Sequence, residues 1–339
     1  MRDRLVVAAI LLTAVVIAVA LPMAADEADP AEMTLEELLS MELTIASKTG
    51  TTAREAPGIV TLVTADEIAA SGARDLTDIL RLVPGFDFGI DVQGVIGLGA
   101  RGSWGHEGKI LLLLDGQEMN EPLYSTLQFG NRIAVSQISK IEIIRGPGSA
   151  IYGGYAELAV INIITKGADE LRGAAGSFMA GTMSDATARV RGDLSYGANV
   201  GAGSITVHAS LAEGNRSDAT FSDFLGNSYD MEDASELDDK TINLLATWKN
   251  YKARLIVDEY HMTQQDEFGE NLPRPTDVDF DSLFFEATAV YLARPGLSIT
   301  PRVNYKKQEP WQESNESFFY QKEIERITGN VTMNWDANE

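Results

Sequence analysis

The chain has no cysteine among its 339 residues, which excludes disulfides and a lipidated N-terminal Cys, so an exported fate would not bring a disulfide scaffold with it. Histidine is almost as scarce: His106, His208 and His261 stand far apart with no nucleophile pattern beside them, and a hydrolytic enzyme finds no support. Basic residues are outnumbered, 27 against 50 acidic ones for a formal charge of -23, so the chain would repel a phosphate backbone and nucleic acid is excluded as a partner. The glycine-rich stretch IRGPGSAIYGGYAELAVINIITK, residues 144–166, lacks the Lys-Ser or Lys-Thr pair of a phosphate-binding loop. Pro147 also removes an amide that a phosphate would need, and Lys166 lies beyond the next strand. No cofactor and no metal site is called for.

What is present begins with Arg2 and Arg4, followed by an apolar run over residues 5–21 and by Pro22-Met23-Ala24-Ala25 before the acidic Asp26-Glu27. This is the pattern of a secretory signal over residues 1–25, with cleavage near Ala25. An uncleaved anchor is the alternative, because this run of 17 residues, apolar except for Thr13, nearly spans a bilayer. Residues 26–50 form an N-terminal extension, and near residue 170 the composition changes character, dividing the remainder into 51–170 and 171–339.

The first of these parts has mixed α and β patterning. Residues 59–63 read as a strand, and Thr64-Ala65-Asp66-Glu67 has the capping-box spacing that starts a helix ending at Ser71-Gly72. Asp75 caps a second helix running to Leu82, stopped by Pro84-Gly85. Residues 109–114 form a central strand that leaves through an Asp115-Gly116 turn. Residues 139–144 and 160–164 are two buried strands flanking the glycine-rich turn, with Arg145 as a buried latch paired with a carboxylate, either within the first part or from an inward-facing position of the second such as Glu286, because an unpaired buried charge is costly.

From Arg172 onward the period becomes two. Ala188, Val190, Leu194 and Tyr196 alternate with Arg189, Arg191, Asp193 and Ser195, and the same alternation recurs over 205–211, 242–248, 251–257, 283–291, 297–305 and 327–335. With residues 173–183 this makes eight strands, apolar on one face and polar on the other, with Tyr or Trp near strand ends. A transmembrane β-barrel has this pattern, although a soluble β-sandwich alternates too. Connections near 198–202, Asn250, 294–296 and Asp336 are short, whereas 213–239, 263–278 and 308–318 are long, which is the asymmetry of outer-membrane barrels. The 213–239 connection holds nine acidic residues against one Arg, which reads as a solvated face or as a cation site.

Several motifs together resemble the plug of TonB-dependent outer-membrane receptors: LEELLSMELTIASKTG, APGIVTLVTADEIAASGARDLTDILRLVPGF, GARG, ILLLLDGQEMN and ISKIEIIRGPGSAIYGGYAELAVINIITK, in that order over residues 35–170. The resemblance implies an α+β plug followed by antiparallel transmembrane β-barrel strands in the outer membrane of a Gram-negative bacterium, embedded in its lipid. It also implies that the protein is not an enzyme. Its function would be import of a scarce small molecule, such as an iron chelate, haem or cobalamin, driven by TonB with ExbB and ExbD. It places the TonB-contacting box at Glu42, Leu43, Thr44, Ile45, Ala46 and Ser47, where an extended segment could add a strand to a partner sheet; a first plug strand is the alternative. It makes Arg101, Gly102, Asp115, Gly116, Arg145, Gly146, Pro147 and Gly148 plug-core residues, and puts Trp104, His106, Tyr124 and Phe129 on outward-facing loops where they could contact a ligand; apolar packing against the barrel is the alternative.

Two departures stand out. Glu157-Leu158-Ala159 replaces the small, glycine-rich run that usually precedes the last plug strand in such receptors. And eight strands fall short of the roughly 22 of a plugged transporter, since an eight-stranded barrel is filled by its own side chains. The sequence therefore reads as a fragment or a truncated product, and an exported, non-transporting binding or adhesion module is the rival function.

Overall fold

The computed structural model describes residues 42–43, 51–52, 59–148, 154–232, 234–294, 296–314 and 319–335. The signal segment and residues 44–47 of the TonB-contacting box lie outside them. Strands β1 (Glu42–Leu43) and β2 (Thr51–Thr52) pair antiparallel with one another. The plug region then runs β3 (Ile59–Thr64), α1 (Ala65–Ser71), α2 (Leu76–Leu80), β4 (Phe86–Ile90), β5 (Ile96–Ala100), β6 (Ser103–Trp104), β7 (Ile110–Leu114), β8 (Gln117–Glu118), β9 (Ile138–Arg145), β10 (Ala159–Thr165) and α3 (Ala168–Leu171). The rest is strand: β11 (Gly173–Thr182), β12 (Thr187–Val200), β13 (Gly203–Gly214), β14 (Thr220–Ser222), β15 (Ser228–Asp230), β16 (Leu237–Trp248), β17 (Tyr251–Gln264), β18 (Thr276–Ala289), β19 (Tyr291–Arg294), β20 (Leu297–Ser314), β21 (Phe319–Tyr320) and β22 (Ile324–Trp335).

The plug is organised by a five-stranded sheet in the order β3-β9-β10-β7-β8, with β10 parallel to β7 and antiparallel to β9. Apolar residues line both faces, as a doubly covered sheet demands. Leu112, Leu114, Ile141, Ile143, Ile161 and Ile163 join the larger core with α1 and α2, while Leu111, Leu113, Ile144 and Val160 fill the smaller one. Helix α1 has its capping box, with Thr64 and Glu67 bonded reciprocally, and ends at Gly72 in the left-handed conformation. Asp75 caps α2 through the Asp78 amide, but the helix ends at Leu80, two residues before the expected Leu82. The amides of Leu82 and Val83 turn back to the carbonyls of Ile79 and Leu80, so the chain tightens ahead of Pro84.

The long strands form one antiparallel meander from β11 to β22. β18 and β19 are a single strand broken at Val290, since both pair with β20, so the eight expected strands are all present. Ile205, Leu244, Phe285, Val303, Ile327 and Val331 are exposed on one face, and Trp248, Tyr251, Tyr291 and Trp335 are exposed near the short turns, as in an aromatic girdle. The sheet is open at β11 and β22 among the described residues. No helix among those residues is long and apolar enough to cross a membrane, which says nothing of crossing by strands.

The opposite face of the sheet, expected to be polar, is polar only in part. Arg191, Ser195, His208, Asn243 and Asp258 are buried there as expected, but so are Ile256, Tyr260, Met262, Val278, Phe280 and Phe284. Ile256 and Phe284 belong to the plug's own core, and the others form a third cluster with Val95 of the plug. The wall faces protein here, not water, and apolar side chains are stabilised by that burial at roughly 25 cal/mol per Å².

Candidate functional site

Plug and wall meet along a seam of buried charges. Arg189 of β12 reaches the Asp75 carboxylate at 2.6 Å, Arg132 pairs with Asp258 of β17, and Arg254 of β17 lies 2.7 Å from Asp115. Lys306 of β20, almost fully buried, sits 3.0 Å from Glu118 and donates to the Asn120 carbonyl at 2.6 Å. Neutral bonds fill the gaps: Asn131 to the Leu237 carbonyl at 2.7 Å, Tyr260 to the Phe129 carbonyl at 3.0 Å, and Gln137 to the Ala209 carbonyl at 2.8 Å. A His208 ring nitrogen, Nε2, lies 2.9 Å from the Lys166 carbonyl and must donate to it, which leaves Nδ1 to accept from Ser195 at 2.8 Å. None of this is covalent, and breaking one partner of a buried pair leaves an uncompensated charge.

The plug-core residues fall into two groups. Asp115 (φ +51) and Gly116 (φ +83) form the tight turn between β7 and β8, and the Asp115 carboxylate takes bonds from the Thr165 amide and hydroxyl and from Asn243 of the wall. This turn is therefore a wall contact as well as a chain reversal. Elsewhere, three glycine-bearing turns converge. The Arg101 amide bonds the Gly85 carbonyl at 2.7 Å, its guanidinium bonds the Arg145 carbonyl at 2.8 Å, and Arg145 donates to the Pro84 carbonyl at 3.3 Å. Gly102 (φ +76) and Gly146 (φ +143) supply conformations that side chains resist. Gly148 cannot carry a side chain without running into Val160. Pro147 is exposed beside them.

The expected pairing of Arg145 with Glu286 is not formed. Among the described residues Arg145, half-buried, pairs with no carboxylate and donates to the Pro84 carbonyl, while Glu286 is taken by Arg302 and stands 3.8 Å from Lys252. The charged latches lie instead at Asp75, Glu118 and Arg132. Asp75 was legible only as a helix cap, and the wall partners only as charges in the inward phase of the alternation.

A cleft lies where the plug hairpins meet the wall's long connections. Trp104, His106, Asp91 and Glu107 line it from the plug, and Phe221, Asp266 and Phe268 from the wall. Asp91 holds its own turn by accepting from the Gln93 and Val95 amides, both at 2.9 Å, and its other oxygen is 3.0 Å from His106 Nε2. Gly97 lets the two rings lie against the backbone, since a Cβ there would stand 2.7 Å from His106 Nδ1 and 2.8 Å from Trp104. The Phe268 amide bonds the Val92 carbonyl at 2.5 Å, tying the wall connection to the plug's apex.

Of the four expected ligand-facing residues, Trp104 (41% exposed) and Tyr124 (50% exposed) are open to solvent. Tyr124 bonds the Tyr320 hydroxyl at 2.7 Å. Phe129 (2% exposed) faces inward, packed edge-on against Phe88 in the core, and His106 (1% exposed) lines the cleft from a buried position. Phe129 is thus a packing residue. In the 213–239 connection, Asp223 is spent on the Leu225, Asn227 and Asn271 amides, and no group of three or more potential metal ligands stands among the described residues.

The seam is expected to weaken in acid. Burial pushes the Asp75 carboxyl up, but Arg189 and hydrogen bonds from Thr77, Asp78 and Asn131 outweigh it and hold the group below the usual range. Glu118 is likewise raised by burial and lowered further by Lys306 and Arg326. A depressed carboxylate stabilises the folded state fully above its unfolded pKa, about 4, and loses that contribution as pH falls through the folded value. Plug protection from protease should hold from pH 7 to about 4 and fall below it, and in Asp75→Asn the acid-dependent part should shrink.

Comparison with known proteins agrees with this architecture. Residues 52–157 match the TonB-dependent Receptor Plug Domain family. The chain is 35% identical over 126 residues to the vitamin B12 transporter BtuB of Vibrio vulnificus, covering 36% of this chain and 20% of that protein. It is 31% identical over 145 residues to the ferric enterobactin receptor of Pseudomonas aeruginosa, covering 37% and 18%. A structure of a ferric enterobactin receptor mutant from Pseudomonas aeruginosa in complex with enterobactin superposes with a TM-score of 0.57 at 19% identity, covering 83% of this chain and 47% of that one. The FrpB iron transporter from Neisseria meningitidis gives 0.57 at 16% identity, covering 82% and 46%. At such identities the structural likeness establishes the fold alone. The chain spans less than half the length of these structures, and its matched segment about a fifth of the curated relatives. These relatives are transporters and receptors, not enzymes.

Proposed function

We propose that this chain, which carries the plug of the TonB-dependent receptor family ahead of wall strands like those of their barrels, belongs to an outer-membrane importer. A small, scarce molecule such as an iron chelate or cobalamin binds at the cleft between plug apex and wall. TonB, powered through ExbB and ExbD, draws on the segment around Glu42, Leu43, Thr44, Ile45, Ala46 and Ser47, and the plug shifts to open a path to the periplasm. The exposed apolar face with its aromatic girdle lies against lipid.

The observation that carries the reading is the seam itself: a plug fastened to a wall by side-chain charges and hydrogen bonds and by no covalent link among the described residues. The pairing of Glu42–Leu43 with Thr51–Thr52 supports the coupling step, because a backbone already disposed to pair can exchange one partner strand for another. The test is accumulation of labelled cobalamin and ferric siderophores by cells carrying the full-length gene, with and without a protonophore. Uptake abolished by the protonophore supports import, whereas accumulation that is absent or insensitive to it defeats the reading.

A further inference from the structure

The cleft has a chemical character that narrows its occupant. Its apolar surface comes from separate elements: Trp104 on the plug, Phe221 on the β14–β15 hairpin and Phe268 on the turn after β17. Phe268 is 63% exposed and sits at φ +52, a conformation costly for a residue with a side chain. A large side chain held open to water at that cost needs something to cover it, and strained, exposed aromatics gather at ligand clamps.

The polar groups of the cleft share one sign. Asp91, Glu107 and Asp266 line it, and among the described residues no lysine or arginine does. Two nearby cations have contacts of their own, while Lys109, exposed and 3.5 Å from the Trp104 carbonyl, stands outside the lining. Arg216 lies beneath, held 2.7 Å from Asp266 and 3.0 Å from the Gly94 carbonyl, and Lys322 stands 3.5 Å above the Tyr320 ring. Glu107, by contrast, is exposed and makes no side-chain bond among the described residues. His106, buried in the wall of the cleft, has its Nδ1 without a hydrogen-bond partner among the described residues. A polyanion entering here would meet carboxylates and low-dielectric rings, with no lysine or arginine among the described lining residues to offset either.

We propose that the cleft selects a neutral or positively charged substrate with a broad apolar face, and discriminates against polyanionic metal chelates. The inference rests on the importer reading, because it names the class of molecule that the same cleft would capture. The aromatic residues cover the apolar face, and Glu107 and Asp91 favour positive charge.

The test measures quenching of tryptophan fluorescence in the full-length protein in outer-membrane vesicles, with Trp104→Phe as the control that isolates the cleft. Three probes span the charge range: neutral cyanocobalamin, a singly positive ferric trihydroxamate and a triply negative ferric tris-catecholate. At low salt the tris-catecholate should bind at least about tenfold more weakly than the better of the other two, a gap that narrows with added salt and in Glu107→Lys. A tris-catecholate that binds as tightly as either, through Trp104, overturns the charge inference and leaves the importer standing. If no probe changes Trp104 fluorescence and none is accumulated, the importer reading falls and takes the inference with it.

Discussion

Replacing Asp258 with alanine should cost about 3 to 5 kcal/mol in the stability of the docked plug, because it removes the carboxylate paired with the buried Arg132 guanidinium and leaves only the more distant Asp239 to face it. Arg132 is buried between the Tyr260 ring, 5.3 Å from its centre, and Gln128, whose side chain accepts at 3.0 Å. Neither neutralises a cation. The expected readouts are a lower melting temperature for the plug, faster proteolysis of its connections, and an outer membrane that admits solutes normally excluded. The double variant Arg132→Met with Asp258→Leu should recover most of the loss, since a well-packed apolar pair often equals a buried ion pair. Lys240→Ala is the contrast. Its partner Glu259 lies 3.8 Å away and both are well exposed, so that change should cost no more than about 1 kcal/mol. Equal effects from Asp258→Ala and Lys240→Ala would show that the seam does not hold the plug.

The reason this pair matters also explains what the sequence could and could not disclose. Local rules work where the answer is local. Thr64 with Glu67, Gly72 after α1, and Asp115-Gly116 between two strands are each set by backbone groups a few residues apart. The alternation on β12 likewise predicted that Arg189 and Arg191 turn away from the apolar face. What it could not give was the partner, because Asp75 is 114 residues from Arg189 and Asp258 is 126 from Arg132. Arg145 shows the converse error: a charge beside a glycine turn invited a carboxylate, but three turns folded together offered it the Pro84 carbonyl. The apolar patch on the inward face did leave a signal. Ile256 between Leu255 and Val257, and Phe284 beside Phe285, break the period of two, as strands buried on both faces do. Of the four aromatic and imidazole groups assigned to a ligand, Phe129 failed because hydrophobicity alone does not separate a core ring from a cleft ring.

The substitution with the largest consequence for activity is Ile45→Pro, in the segment that the family resemblance assigns to TonB. Strand addition rests on backbone hydrogen bonds, so most side-chain changes there should be tolerated, whereas proline deletes a donor and fixes φ in the middle of the pairing segment. Ile45 lies outside the described residues, and the contacts given above for the cleft and the seam are made by other residues. The full-length protein with Ile45→Pro should therefore bind substrate as tightly as the parent and keep its plug protected from protease, yet lose nearly all energised uptake. Ile45→Ala keeps the amide and should lose little. The two variants separate pairing by the backbone from recognition by the side chain: equal loss in both points to a side-chain pocket on the partner. Parental uptake in Ile45→Pro cells, under conditions where a protonophore stops transport, would remove residues 42–47 from the coupling step. The force would then have to enter the plug elsewhere, and the edge strand β3, paired on one side to β9, is the next segment through which it could act.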